Sequence, residues 1–499
     1  METALLEVFN RGLDVVSGPG QLQQGFTQDA INMTGFGNGV QKRLGAESMG
    51  PLTATGSYIY WSESENRLYS FEGDSLYSYL VSSDTFVSRT LVHAFTGGGN
   101  LYLADFLDDV VGVHTIDGVF TVTGDTYALK TAAVVGNVLA VWQNKVWVTG
   151  NGGVRVYWSN AGTAATWTTA TDFVDIREMD DTENIGIGSG NGMDVVGRTG
   201  LLVWKSNSVY RINDSETGAY TTVDGYHGAG GRDAMTSYAG VIYVCNRSGV
   251  YVVTEDGLRL ISVSIDPLWA DNAGFASSGN WHAWFAWGRV YFTRSSIGGG
   301  VSPFIYEYVP ETEGWWVHSL NDGGTARGVI YVTVTPATGG AQTAGAYILD
   351  SGGTKMLRMW KTQQEVTTFS IATKDYVSAF NGTGGTNVSA RYLTPWLPFA
   401  LDKVRVRRCI IDGWSAAATF AVAKDFSTTT EARAALTVTG DPGFTELHSL
   451  GVMRAISLDI RSAGSGSNQI VMAPTGVTRF TSETHINAIR FDYINLGRA

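Results

Sequence analysis

A short hairpin recurs along most of this chain, and that recurrence limits the fold more than any other feature. "VIYVCNRSGVYVV" at 241–253 is two apolar runs around a polar turn. The same unit stands at 67–80 ("RLYSFEGDSLYSYL"), 110–122 ("VVGVHTIDGVFTV"), 138–150 ("VLAVWQNKVWVTG"), 201–212 ("LLVWKSNSVYRI"), 290–309 and 329–349. Each reads as a strand, a polar or glycine turn, and a second strand with an aromatic residue near its middle. First strands begin at 68, 110, 138, 201, 241, 290 and 329. Their mean spacing is about 43 residues, within the ~40–50 of a propeller blade. One four-stranded sheet of that length cannot hide both faces. A ring of such sheets buries each face against a neighbour and leaves only short edges. Two packed β-sandwiches would not require the steady spacing.

Composition agrees. The 499 residues include 62 Gly, 15 Trp and 22 Tyr, with only 16% charged residues. Glycine turns between aromatic and β-branched strands favour an all-β body. After about 355 the hairpin rhythm stops. "TTFSIATKDYVSAF", "VRVRRCIIDGW", "RAISLDI" and "HINAIRFDYINLG" are single strand candidates with long Ser/Thr/Gly connections. The expected fold is therefore all-β: a six- or seven-bladed β-propeller over 51–355 and a C-terminal antiparallel β-sandwich-like domain over 360–499. Residues 1–50, with "SGPGQ" and "GFGNG", read as an extended segment that packs on the propeller or closes its ring.

The formal charge of −12 argues against a broad basic surface for gripping nucleic acid, though an acidic protein can stand beside DNA in order to repel it. Cys245 and Cys409 are too far apart in sequence to make a metal motif and read as free buried thiols. The N-terminus lacks a basic start followed by a long apolar stretch, and no run approaches the ~20 apolar residues of a membrane span. The expectation is a cytoplasmic product without membrane insertion.

Catalytic motifs are scarce. There is no P-loop, His-Glu-x-x-His or Gly-x-Ser-x-Gly. "GIGSGNG" at 186–192 misses the dinucleotide spacing at Asn191 and reads as a turn. The histidines at 93, 114, 227, 282, 318, 448 and 485 show no ligand spacing. "SNAGTAATW" at 159–167 has the outline of a sialidase Asp-box turn, with Ser159, Thr166 and Trp167 in place, but Ala161 stands for the aspartate. No cofactor, metal or catalytic residue is assigned.

Two charged clusters are candidates for function. Asp172, Asp175, Glu178, Asp180, Asp181 and Glu183 gather in "DFVDIREMDDTEN". They suit a solvated loop, a negative channel wall, or a metal or carboxylate-pair site; an EF-hand order is absent. Lys403, Arg405 and Arg407 alternate in "KVRVRRC", which puts them on one strand face with Val404 and Val406 on the other. That face either guards a sheet edge or meets another subunit; nucleic-acid binding ranks last because no aromatics interleave the charges. Trp315 and Trp316 in "GWWVHS" suit packing between blades, or sugar stacking if exposed.

The order of phrases resembles the tail nozzle (tail hub, or packaged-DNA stabilisation) proteins of short-tailed bacteriophages. "FNRGLDVVSGPGQLQQGFTQDAINMTGFGNGVQKRLGAE" is similar to their opening, with Ala30-Ile31-Asn32 followed by Lys42-Arg43-Leu44-Gly45. "NIGIGSGNGMDVVGRTGLLVWKSNSVYRIND" and "HGAGGRDAMTSYAGVIYVCNRSGVYVVTEDGLRLIS" resemble the mid-body phrases, and "WLPFALDKVRVRRCIIDGW" with "INAIRFDYINLG" the appended β-domain. The resemblance covers most of the chain and implies a virion tail protein without chemistry, assembled in the host bacterial cytoplasm. It implies a ring, typically of six, below the portal and adaptor (the head–tail connector). Such a ring extends the DNA channel and retains the genome until ejection. Tail fibre, tailspike or needle proteins would be further partners, and duplex DNA would pass without specific binding. Six copies would carry about −72 formal charges, a field that discourages DNA from adhering to the wall. The acids at 172–183 are the candidate channel wall and the basic row at 403–407 the candidate subunit contact. A propeller glycan hydrolase or depolymerase, and a receptor- or glycan-binding tail module, are the alternatives.

Overall fold

The computed structural model describes residues 2–498 apart from 178–191, 274–278, 297–303, 320–326, 335–342, 350–354, 360–373, 376–385, 438–443, 463–468, 473–482 and stretches of one to four residues elsewhere. The chain is a seven-bladed β-propeller joined to a two-sheet β-sandwich. Seven four-stranded antiparallel sheets follow one another. Blade 1 is Gly56–Ser62, Arg67–Glu72, Ser75–Ser82 and Thr85–Ala94. Blade 2 is Leu101–Phe106, Asp109–His114, Gly118–Thr123 and Thr126–Thr131. Blades 3, 4, 5 and 6 open with Gly136–Trp142, Gly192–Val196, Met235–Tyr238 and Gly279–Ala286. They end with Phe173–Asp175, Tyr220–Asp224, Gly257–Leu260 and Gly314–Ser319. Blade 7 takes Arg327–Val334, Thr343–Leu349 and Lys355–Met359 from the end of the propeller sequence. Its outermost strand, Glu47–Pro51, comes from the N-terminus.

Blade 2 shows why these sequences stack. Val110, Phe120 and Val122 join the core shared with blade 1, whereas Val111, Val113 and Val119 join the core shared with blade 3. A period of two with apolar residues on both faces is what a sheet buried on both sides requires. Gly112 interrupts the run because a Cβ there would lie 2.2 Å from the Phe120 ring. The same sharing continues round the ring: Trp147 and Trp158 pack with Leu201 and Tyr210 between blades 3 and 4, and Trp284 and Tyr291 with Ile348 and Leu357 between blades 6 and 7. Ile59 and Trp61 of blade 1 then meet Tyr347 and Leu349 of blade 7 and complete the circle.

The hairpins visible in the sequence are not all the same pair of strands. Five are the second and third strands of their blades, but 138–150 and 329–349 are first and second strands. This slip by one strand explains the irregular spacing around blade 3. The first turn of blades 2, 3, 5 and 6 is a two-residue hairpin, and its first residue has positive φ: Leu107 (57°), Gln143 (52°), Ala239 (51°) and Trp287 (50°). Such turns match the twist of the strands they join.

The sandwich is not confined to the C-terminus. Its larger sheet runs Leu436–Thr437, Phe444–Met453, Asp402–Trp414, Glu483–Arg498, Gln469–Met472, Gly39–Lys42 and Met33–Phe36, with Glu2–Leu6 also paired to Glu483–Arg498. The smaller runs Ala30–Ile31, Ala390–Leu393, Ala455–Ser462, Ala418–Lys424 and Thr430–Arg433, with Leu397–Pro398 also on Ala455–Ser462. Val404, Val406, Cys409 and Phe491 of one sheet pack with Tyr392, Phe420, Leu458 and Ile460 of the other in one core. The N-terminal segment, read from sequence as an extended segment that packs on the propeller or closes its ring, supplies strands to both sandwich sheets before closing blade 7. Its strands are two to five residues long, too short to carry a visible period, and apart from the hairpin of Met33–Phe36 with Gly39–Lys42 their sandwich partners lie hundreds of residues away.

Removing residues 47–51 leaves the third strand of blade 7 as an open edge. The deletion is expected to lower the thermal midpoint by several degrees and to make unfolding depend on protein concentration through edge pairing. Calorimetry at two concentrations, beside the intact chain, measures both effects.

Candidate functional site

The N-terminal segment locks the sandwich onto the outer edge of blade 6. Asn32 is buried with φ of 57°, a conformation that asparagine tolerates better than most residues. Its N–H donates to the Val317 carbonyl (2.8 Å), its Oδ1 accepts from the Ser319 N–H (2.9 Å) and its Nδ2 donates to Ser319 Oγ (3.2 Å). One residue, through backbone and side chain together, thus continues the ladder of a strand that would otherwise present an open edge. Gly12, at φ of 82°, approaches so closely that a Cβ would lie 2.4 Å from the Trp315 nitrogen. Thr27 Oγ1 donates to the Leu393 carbonyl in the sandwich, and the Val15 N–H donates to the Ser264 carbonyl (2.9 Å) between blades 5 and 6.

An ionic cluster sits under this joint. Glu307, 1% exposed, lies between Arg289 and His318 of the neighbouring strands of blade 6. Arg289 Nη1 donates to Glu307 Oε1, and His318 Nε2 is 2.7 Å from Oε2. The Thr34 hydroxyl, from the N-terminal segment, donates to Oε1 (2.5 Å) and accepts from Arg289 Nη1 (2.6 Å). Burial raises the carboxyl pKa. The Arg289 charge and the bonds from His318 and Thr34 outweigh it and bring Glu307 from 4.5 to about 2. Sequence reading missed this cluster, because its four members are spread from 34 to 318 and only the sheet register assembles them.

The candidate channel acids divide. Asp175 lies on the outermost strand of blade 3, where Arg155 Nε and Nη2 donate to its two carboxylate oxygens (2.7 and 2.9 Å). That pairing holds its pKa below the usual carboxylate range. Asp172 precedes the same strand and accepts from the Thr171 hydroxyl (3.0 Å). Glu178, Asp180, Asp181 and Glu183 lie outside the described residues. Among the described residues no cluster of three metal-ligating side chains occurs.

The basic row has the orientation that alternation requires. Val404 and Val406 are buried and Arg405 and Arg407 exposed; the Lys403 side chain lies outside the described residues. The strand is not an edge, however. Asp402–Trp414 runs between Phe444–Met453 and Glu483–Arg498, so these charges guard no open ladder. Against Glu483–Arg498 a register shift between Val406 and Arg408 inserts one residue. After the bulge Cys409 is buried again, and Arg408 joins Arg407 on the outer face, its side chain 40% exposed and bonded to Asp492.

The remaining motifs are structural. Trp315 and Trp316 are 1% and 0% exposed, which removes sugar stacking by these two and leaves packing between blades. In the degenerate Asp-box turn, Ser159 Oγ accepts from the Val146 N–H (2.9 Å) and Trp167 Nε1 donates to the Ala164 carbonyl (2.7 Å), so the turn holds itself and its strand. Cys245 and Cys409 are buried free thiols, and burial pushes both well above the usual thiol range. "GIGSGNG" falls almost wholly outside the described residues. Between the innermost strands of blades 1, 2, 5 and 6 lies a cavity of about 350 Å³, lined by Tyr58, Tyr60, Tyr102, Asp233, His282 and Phe285 among others. Among its described lining residues Asp233 is the one carboxylate and none is an arginine. Among the described residues no helix is long and apolar enough to cross a membrane.

No family model matches the sequence, and no curated protein is similar to it. Solved structures similar to this chain include a chain of the mitotic checkpoint complex, with 8% identity over 61% of this chain and 89% of that one, at a TM-score of 0.40. The extracellular domain of BT4673 from B. thetaiotaomicron has 8% identity over 89% of this chain and 62% of that one, at 0.42. The N-terminal domain of Nup159 has 10% identity over 70% and 99%, at 0.38. At these TM-scores the likeness carries no argument, and the fold rests on the strand order and shared cores given above.

Replacing Glu307 by Gln leaves Arg289 buried without its counter-charge and is expected to cost about 3–5 kcal/mol in urea unfolding. The pH dependence has a definite sign. Because the folded pKa is depressed, the Glu307 contribution is fully present above about 4.5 and is lost as pH falls toward about 2. In the intact chain unfolding should steepen across that window, and in Glu307→Gln the steepening should shrink.

Proposed function

We propose that this chain is a structural virion protein, the repeating subunit of a tail nozzle or hub. Copies form a closed ring, six by the resemblance, below the portal and adaptor. The ring extends the DNA channel, retains the genome until ejection and gives attachment to tail fibre, tailspike or needle proteins. Duplex DNA passes through the lumen without specific binding, the subunit carries no catalysis, and assembly takes place in the host bacterial cytoplasm.

The observation that carries this reading is the double use of the N-terminal segment. The phrase with which the resemblance opens, around Ala30-Ile31-Asn32, is built into the sandwich and caps blade 6 through Asn32. From Glu47 onward the same segment completes blade 7. Such stitching makes two β-domains act as one block, which suits a part loaded mechanically by packaged DNA. A rigid block with distinct flanks can repeat head to tail, and a repeat that closes is a ring. The net charge of −12 supports a wall that repels the DNA passing it. A glycan hydrolase would need paired carboxylates, which the described lining of the axial cavity does not supply.

Light scattering with negative-stain imaging tests the proposal. The expected result is a closed ring of several 53.6 kDa chains with a lumen wide enough for duplex DNA. Chains that stay single at every concentration, and inside intact particles, would overturn it, as would turnover of a host polysaccharide by the purified protein.

A further inference from the structure

We propose that copies of the chain join through the arginine-bearing outer face of the sandwich, which seats on the acidic turns of blades 1 and 2 of the next copy. This rests on reading the chain as a ring subunit and names the contact that builds the ring.

The first surface is the solvent side of the larger sandwich sheet. The bulge places Arg405, Arg407 and Arg408 together within four residues, and Arg490 of the adjacent strand is on the same side, 47% exposed. Asp492 lies against Arg408 and Arg490. Arg405 and Arg407 extend the cationic face beyond it. Val452, paired with Arg405 across the sheet, is 43% exposed, and Leu496 on the next strand is 50% exposed. A cationic sheet face with exposed apolar side chains at one end, beside Arg405, is unusual for a chain of net charge −12 and has the character of a docking surface.

The second surface lies on blades 1 and 2, away from the joint at blade 6. In a four-stranded meander the first and third turns share one end of the blade. At that end of blades 1 and 2 stand Glu63, Glu65, Asp105, Asp108, Asp109 and Asp125. Arg67, bonded to Asp125 (2.7 Å), is the basic side chain described beside them. Glu65 is committed to the Gly124 N–H and Asp105 to Ser62 and Ser64. Glu63 and Asp108 are exposed and make no ion pair among the described residues. Leu107, at the tip of the blade 2 turn, is 61% exposed at φ of 57°, where asparagine or glycine is the less strained choice. An exposed leucine held in that conformation amid carboxylates matches the exposed Val452 and Leu496 amid arginines.

Placement favours a second copy as the occupant. The sandwich is fixed to blade 6, and the acidic turns are on blades 1 and 2, two and three blades further round the ring. A contact between two unlike surfaces on different blades repeats without using itself up, as ring formation requires. Duplex DNA would satisfy the arginines but not Val452 and Leu496.

Paired charge reversals test this. Arg405→Glu with Arg407→Glu, and separately Glu63→Lys with Asp108→Lys, should each weaken self-association about tenfold or more in light scattering, leaving single chains with native circular dichroism. Mixing the two variants should restore rings, because the acidic sandwich of one then faces the basic turns of the other. Leu107→Gly should relieve the turn yet weaken the ring. Variants that assemble like the parent, or a mixture that stays dissociated, overturn this contact while leaving the ring reading standing. A parent chain that never assembles removes both. Loss of duplex-DNA binding by the arginine variant, with assembly intact, would assign the face to nucleic acid instead.

Discussion

Every β-sheet must dispose of its edges, and in this protein that requirement falls on the first fifty residues. Blade 7 has only three strands of its own and would end on an open ladder. Glu47–Pro51 closes it antiparallel to Lys355–Met359. Blade 6 has four strands, but its outer strand is covered by Asn32 and the segment around it. The same segment gives Glu2–Leu6, Met33–Phe36 and Gly39–Lys42 to the sandwich. Propeller closure, sandwich completion and domain docking are therefore coupled, and none is complete without a strand from far away in sequence.

That coupling has consequences for rigidity. The joint at blade 6 is apolar over a wide area, since one core contains Trp315 and Tyr308 of the propeller together with Leu13, Met33, Val404 and Phe491. Within it, Glu307 accepts from Arg289, His318 and Thr34. A buried ion group of this kind adds little net stability over apolar packing, but it specifies one arrangement, because any other leaves a buried charge without partners. The joint accordingly combines packing, which is insensitive to register, with a charged cluster that is not. A body of this construction transmits force between propeller and sandwich as a unit, consistent with the mechanical role proposed for it.

The local rules of the chain were legible without coordinates. Val110, Val111, Val113, Val119, Phe120 and Val122 announce a strand pair buried on both faces, and the sheet shows why: alternate residues feed different cores. The alternation in "KVRVRRC" correctly separates Val404 and Val406 from Arg405 and Arg407. It fails at Arg408, where a bulge, invisible in a period-two pattern, turns a third arginine outward. Trp315 and Trp316 are adjacent and so point to opposite faces of their strand, yet both are buried because both faces are covered. An aromatic pair in sequence does not reveal whether its second face meets solvent.

By itself the sequence determined the all-β class, the repeating unit and its approximate number. Turn chemistry and strand periodicity act over a few residues, and apolar content on both faces implies stacking. It also determined that the charge is negative and that the cationic residues of one strand share a face. Only the tertiary structure decided that there are seven blades, that the N-terminus belongs to two domains at once, and that Thr34, Arg289, Glu307 and His318 meet. These are matters of pairing between distant segments, where short strands such as Ala30–Ile31 carry no pattern of their own. Their partners are chosen by which exposed edges and buried charges the rest of the fold leaves to be satisfied.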